Sequence, residues 1–526
     1  MKRFCIRAFL YGLVVLTSPN LVFADEFFTK DGFTYSIDQL NHICNHEPAE
    51  PIDSSLLSVE RYQAVSGTDY SQPLHIPATV THDGKIYSVI TIDPRAFKGA
   101  TEVQAIVIDE GIEYIRDMAF EYCINLKSIY IPASVKGVGE GIFGHCYSLT
   151  SVVVDAQNEC FDSRDNSNAI IDSDNDELVA ACSASKIPSS VKSIGNWAFS
   201  YCNTMEELIV PQGVEEIGLG AFSGCSSLKS ISLPESLMEI GGVTFEGCNS
   251  LTSIVIPKNV KEIAPGIFGF CNRLTSIRVD SANLHYDSRS DCNGIVRKSD
   301  SALVAACKAT TIGDDICVLD ERCFYGILIH SLNIPKSITK ISSDMFAGCY
   351  EIDEITVAAD HPVYISPEGS NALLTKDGKT LVLGCRTTEI PDGVETIGEE
   401  AFSGRFIKVV LSLPESVKNI EDDAFTCCNS IFDVILPESV QSMGSGVFQG
   451  CANLTSVQIL SPIKQIGDRT FANCPRLSFV SLPEGLEEIK NWAFDGCTSL
   501  QHITLPSSVT KIEPEAFSNC PALEKK

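Results

Sequence analysis

"IGNWAFSYC" (residues 194–202) and "IGLGAFSGC" (residues 217–225) stand 23 residues apart and share the frame Ile-Gly-x-x-Ala-Phe-x-x-Cys. The phenylalanine closing this frame recurs as Phe97, Phe120, Phe143, Phe199, Phe222, Phe245, Phe268, Phe324, Phe346, Phe402, Phe425, Phe448, Phe471, Phe494 and Phe517. Successive intervals are 23, 23, 56, 23, 23, 23, 56, 22, 56, and then 23 to the last. A fixed period in the twenties marks a solenoid, whose units bury their apolar faces only by stacking on their neighbours. One unit reads from Leu228. "LKSISLP" alternates apolar and polar residues and stops at Pro234, which predicts a short strand with one buried face. "ESLMEI" then crosses the back, and "GGVTFEGC" makes a Gly-rich corner with room for one helical turn. About fifteen parallel rungs, each about 4.8 Å from the next, predict a stack roughly 70–85 Å long with the phenylalanines as its core ladder.

Twelve of the 22 cysteines follow a ladder phenylalanine by three residues, from Cys123 to Cys520. In an exported chain such a column reads as disulfides, and neighbouring rungs bring Cα atoms to a compatible distance. Stacked copies point the same way, however, and three rungs place Ala100, Ile327 and Arg405 here. Buried thiols packing as small hydrophobes account for the column without partners.

Each interval of 56 is one period plus 33 residues, which places inserts at about 155–187, 280–312 and 358–390. The inserts resemble one another. Each has an aromatic (Phe161, Tyr286, Tyr364), followed in the first two by Asp162 and Arg164 or Asp287 and Arg289. An asparagine then opens an apolar pair (Asn168, Asn293, Asn371), and a second apolar run ends at Cys182, Cys307 or Cys385. "ALLTKDGKTLVLG" is a hairpin signal with Asp377-Gly378 at the turn. The expectation is a widened rung with a projecting β-hairpin. Insertions on one face of a solenoid often mark its binding side, so these residues are the candidate binding residues; inherited decoration explains them equally well.

The chain has 526 residues, 44% of them hydrophobic and 20% charged, as suits a globular protein. Its net charge of −29 opposes binding to nucleic acid or an anionic membrane. At the N-terminus, Lys2, Arg3 and Arg7 precede a short apolar run, Ala8 to Leu16, and Val22-Phe23-Ala24 offers a cleavage site. About nine apolar residues cannot span a bilayer, so residues 1–24 read as a secretory signal whose removal takes the charge to −32. Residues 25–75 lack the frame and read as a β-rich cap, and 76–526 as the solenoid. The last frame, "EAFSNCPALEKK", stops at the corner, which predicts an end left partly open or covered by a partner. Export without a membrane span is the expected fate.

Little in the sequence points to chemistry. His42, Cys44 and His46 would share one side of a strand, but no fourth metal ligand is apparent. "DSDNDE" begins like a calcium loop at Asp172, Asp174 and Asp176, yet has Glu177 where the loop needs Gly and Ser183 where it needs Glu. No nucleophile elbow, zinc helix, P-loop or dinucleotide fingerprint is present. Neither an enzyme nor a cofactor is expected. The outward strand positions carry mostly small hydroxyls, with bulkier residues scattered among them.

The frame L-x-x-I-x-L-P-x-x-V-x-x-I-G-x-x-A-F-x-x-C-x-x-L, from about residue 76 to the end, resembles the BspA-like, or Treponema pallidum-type, leucine-rich repeat. "FDSRDNSNAII" and "YDSRSDCNGIV" resemble the long inserted repeats of such proteins from gut and oral bacteria. The 22-residue rung after Phe324 and the Arg405 rung depart from the pattern. The resemblance implies a leucine-rich repeat solenoid of parallel strands, in a family of surface or secreted proteins of which some are linked to adhesion, host-matrix binding or coaggregation. It implies an extracellular protein or glycoconjugate as partner and transfers no ligand residues. A scaffold of the envelope that self-associates through its C-terminal end is the competing expectation.

Overall fold

The computed structural model describes residues 27–36, 56–62, 72–405, 407 and 410–523. The proposed signal (1–24) and the trio His42, Cys44 and His46 lie outside them. Each regular turn contributes two strands. The longer, such as Ser253–Ile256, alternates exposed and buried residues and pairs in parallel with the next, Ser276–Val279. The shorter has two residues, and Glu216–Ile217, Glu239–Ile240 and Glu262–Ile263 lie in register. The segment expected merely to cross the back therefore builds a second parallel sheet.

A third set of axial hydrogen bonds climbs the corner. The Phe97 N–H donates to the Ala119 carbonyl, Phe222 to Thr244, Phe425 to Val447 and Phe494 to Ala516, at 2.8–2.9 Å. Each acceptor immediately precedes the next ladder phenylalanine. The corners are tight turns and not the helical turn expected. The second residue after each ladder phenylalanine has a left-handed φ, as at Gly99 (76°), Gly224 (74°) and Tyr201 (59°), which no right-handed helix accommodates. Among the described residues the helical elements are three 3-10 segments, Arg164–Asn166, Arg289–Asp291 and Ser343–Phe346.

The phenylalanine rings form the ladder expected. From Phe402 to Phe517 successive centroids are 5.1–5.7 Å apart with nearly parallel planes, an offset stack. At the N-terminal end, Phe27–Lys30, Phe33–Ser36 and Leu56–Tyr62 pair antiparallel, and the last joins Lys85–Ile92 in parallel. Phe33 lies edge-on to Phe97 at 6.1 Å, which covers the first rung of the ladder.

The cysteine column carries hydrogen bonds as well as bulk. Eleven of its twelve thiols donate to the carbonyl of the ladder phenylalanine one turn below, at 3.0–3.3 Å. That carbonyl already accepts an N–H from its own turn, as from Ala100 to Phe97, so the thiol takes its second lone pair. All twenty cysteines among the described residues are unpaired. The exceptions to the column now have a cause. Ala100 is on the first rung, and Ile327 and Arg405 stand directly above inserts, so none has a ladder carbonyl beneath it. Cys202, the twelfth thiol, is above the first insert.

The inserts do not project. In the first, Phe161–Asp162, Ala169–Asp172 and Glu177–Ala181 pair antiparallel, and the last pairs in parallel with Ser193–Ile194, so the hairpin is built into the short-strand sheet. The other two repeat this arrangement. Both faces of each hairpin are buried because it crosses the stack as a wall. Ile170 and Ala180 face the first core, while Ala169, Ile171 and Leu178 face the second. Val296 and Leu303 are on the far side of the second wall from Ile295 and Ala302, and Leu373 is on the opposite side of the third from Leu374. Three walls divide the interior into four apolar cores.

Each wall supplies an extra turn with a small residue in the phenylalanine position. Ala181, Ala306 and Gly384 donate to the next turn at 2.9 Å as the ladder phenylalanines do. On the outer corner, the turns that flank a wall meet directly, and large aromatics fill the gap. Tyr201 stacks on His145, Tyr325 lies 5.2 Å from Phe270, and a Cβ on Gly269 would come within 2.5 Å of the Tyr325 ring.

Two outcomes follow from this packing. Burial pushes the thiols of Cys225, Cys271, Cys349 and Cys451 up to about 12, so at pH 9 they remain protonated in the native chain. Among the described residues, mass spectrometry after alkylation should find exposed Cys317 and Cys427 modified first and the buried column from Cys123 to Cys497 modified only in denaturant. A Cβ on Gly384 would overlap the Phe402 ring, so Gly384→Ala should lower stability by roughly 1–3 kcal/mol, read as a fall in the urea midpoint.

Candidate binding surface

The outward positions of the long strands form the broadest regular surface. Pairing in register places Ile209 beside Ser232 and Val255 beside Arg278 in one column, with Val153 beside Tyr130 in the block below the first wall. Val153, Ile209 and Val255 are 46%, 77% and 57% exposed. Ile209 and Val255 are two rungs apart, about 10 Å along the axis. The last block repeats the theme with exposed Val410, Ile435 and Phe479. The bulkier residues that read as scattered along the sequence thus form apolar spots on a surface of serines.

The insert residues singled out from the sequence divide into two groups. Phe161, Tyr286 and Tyr364 are buried, and the Tyr364 hydroxyl accepts the Ile341 N–H at 3.0 Å. Asn168, Asn293 and Asn371 hold left-handed φ values of 56°, 50° and 49°. Their carbonyls accept the hydroxyls of Ser185, Thr310 and Thr388, and the thiols of Cys307 and Cys385 at 3.3 Å. These six residues fasten the walls. The polar pairs lie nearer the surface: Arg164 bridges Asp162 and Asp176, and Arg289 pairs with Asp287 at 2.9 Å. Hydrogen bonding to Asp287 raises the Arg289 guanidinium above its ordinary value.

Three further residues have the same task in all the inserts, and the sequence reading passed over them. Asn158 and Asn283 donate to the carbonyls of Pro132 and Val135, or Pro257 and Val260, and accept two N–H groups of the following turn. His361 acts likewise, with Nε2 donating to the single carbonyl of Ile338 and Nδ1 accepting the N–H groups of Val363 and Tyr364. Each stands three residues before the insert aromatic, which was the available signal.

One insert opens a cleft. Between Ile277–Ser281 and Asp287–Asn293 lies a space of about 560 Å³ whose walls are polar and apolar in nearly equal parts. In the acidic turn of the first insert, Asp172 accepts the N–H groups of Asp174 and Asn175, and Asp176 is held by Arg164. No group of three or more His, Cys, Asp or Glu among the described residues is arranged to hold a metal ion. Nor is any helix there long and apolar enough to cross a membrane.

The model of the BspA type leucine rich repeat region matches residues 85–178, 179–295, 304–366, 384–481 and 464–525, in six copies. No curated protein matches the chain. Among solved structures, a leucine rich cell surface protein from Faecalibacterium prausnitzii is 23% identical over 95% of this chain and 94% of its own, with a TM-score of 0.35. A leucine-rich repeat protein from Bacteroides ovatus is 24% identical over 90% and 93%, with a TM-score of 0.31. The pneumococcal vaccine antigen PcpA is 18% identical over 95% and 99%, with a TM-score of 0.31. Superpositions this loose carry no argument, and the assignment rests on the repeats. By those repeats, which run through most of its length, the chain belongs to the BspA-type leucine-rich repeat family.

Proposed function

We propose that this chain is an exported binding protein, secreted or displayed at a bacterial cell surface. It contacts extracellular proteins or glycoconjugates of a host or another microbe through the outward face of its long-strand sheet. The observation that carries this reading is the recurrence of exposed Val153, Ile209 and Val255 at one outward strand position, apolar side chains held open on a regular surface of small hydroxyls. A sheet held rigid by axial hydrogen bonds loses little freedom on binding, which favours affinity from a flat surface. The basic and apolar pattern of residues 1–24 supports export, and the net charge of −29 disfavours nucleic acid as partner.

The test is binding of the purified chain to matrix proteins, mucins, glycans and bacterial surfaces, beside the double variant Ile209→Asp, Val255→Asp. Both side chains are solvent-exposed, so the stability should fall by no more than about 1–2 kcal/mol while binding falls by about tenfold or more. Undiminished binding by the variant would sink the role of the column. A chain that binds no panel member and gains mass with concentration would be a self-associating scaffold instead.

A further inference from the structure

The walls interrupt the long-strand sheet and leave a strand edge on either side of each interruption, of which those on the N-terminal side differ from wall to wall. At the first, Asn168 Oδ1 accepts the Val152 N–H at 2.6 Å and Nδ2 donates to the Thr150 carbonyl at 2.7 Å. One carboxamide thus meets the edge of Ser151–Val154 as a peptide unit of one more strand would. At the third, the Thr387 hydroxyl donates to the Asp353 carbonyl and the Ser366 hydroxyl to the Ile355 carbonyl. The second edge is different. Asn293 keeps the same left-handed backbone, but its carboxamide has no hydrogen-bond partner among the described residues. The edge of Ser276–Val279 is fastened at its far end, where the Val279 N–H donates to Ser288 Oγ at 3.1 Å, and the cleft of about 560 Å³ opens beside Ile277.

We propose that this cleft takes a short extended peptide, which adds to the edge at Thr275 and Ile277. The Ile277 N–H donates to a peptide carbonyl, and a peptide N–H donates to the Thr275 carbonyl. These are the two bonds that Asn168 supplies from within the chain at the equivalent Val152 and Thr150. In strand addition the main chain gives affinity and alternate side chains give selectivity. Selectivity here falls to exposed Arg278, Asp280 and Asp291, since Asp287 is committed to Arg289. The occupant therefore carries an acidic side chain to lie beside Arg278 and a basic one towards Asp280 and Asp291. The inference rests on the reading of the chain as a polypeptide binder, at a place apart from the apolar column.

A library of N-acetylated, C-amidated hexapeptides, read by fluorescence polarisation up to about 1 mM, tests it. The parent chain should bind one peptide, selecting an acidic position. The double variant Ser290→Asp, Cys292→Ser gives the second insert the loop residues found at 165 and 167 of the first and leaves the cleft carboxylate Asp291 in place. It should weaken binding by about tenfold or more, as expected for losing two neutral hydrogen bonds. Asn168→Gly frees the first edge at a left-handed position that glycine tolerates and should raise the stoichiometry to two. Arg278→Glu should turn the selected position from acidic to basic. No saturable binding, binding that the loop variant leaves unchanged, or no second site in Asn168→Gly would each overturn the proposal. Ile209→Asp should leave peptide binding intact, so failure of the sheet-face reading and failure of this one are told apart.

Discussion

The stack is kept in register by hydrogen bonds that run along its axis. Wherever two regular turns are stacked, a corner bond from the ladder phenylalanine N–H to the carbonyl just ahead of the next ladder phenylalanine ties the period to that spacing. A slip of one residue would break this ladder and both sheets together, and would turn every core side chain outward. Given that constraint, one residue type can fill each position of the turn. Phenylalanine stacks on phenylalanine, and a thiol three residues later meets the carbonyl below. The cysteine column, which in an exported chain also invites a reading as disulfides, is a product of axial registry.

The inserts show what the constraint permits. Sequence can be added only as a complete further turn, and each insert makes one by running a hairpin across the interior. Alanine or glycine at 181, 306 and 384 makes room for the next phenylalanine ring, while Trp197, Tyr201 and Tyr325 close the outer corner that the added turn leaves out. Tyr122, His145, Tyr201 and Phe270 accept a left-handed backbone where most turns have glycine, a strain of about 1 kcal/mol each, and their rings cover this seam.

The ladder was legible because it repeats without slip, and so was the alternation of the long strands. The short-strand sheet was not, since two residues such as Glu239–Ile240 are too few to show a period. The walls were misread as projections although the sequence held the clue. Ala169-Ile170-Ile171 and Leu373-Leu374 are unbroken apolar runs, as strands covered on both faces require, whereas a hairpin in solvent would alternate. Of the candidate site residues, the aromatics and asparagines were found by their repetition, and repetition selects for structure. The difference that sets Asn293 apart from Asn168 lies in a side-chain direction that the shared letter at these two positions does not record.

Because adjacent residues of each hairpin face opposite cores, neighbouring compartments share a wall but no interior. Solenoid units interact only with their neighbours, so cooperativity weakens where the contacts change character. Pulled from its two ends, such a chain is four springs in series. When one compartment yields, each freed residue adds about 3.4 Å of slack, the load on the others drops, and their apolar interiors stay closed behind the walls. Under load such a molecule lengthens in steps while most of its surface keeps its shape.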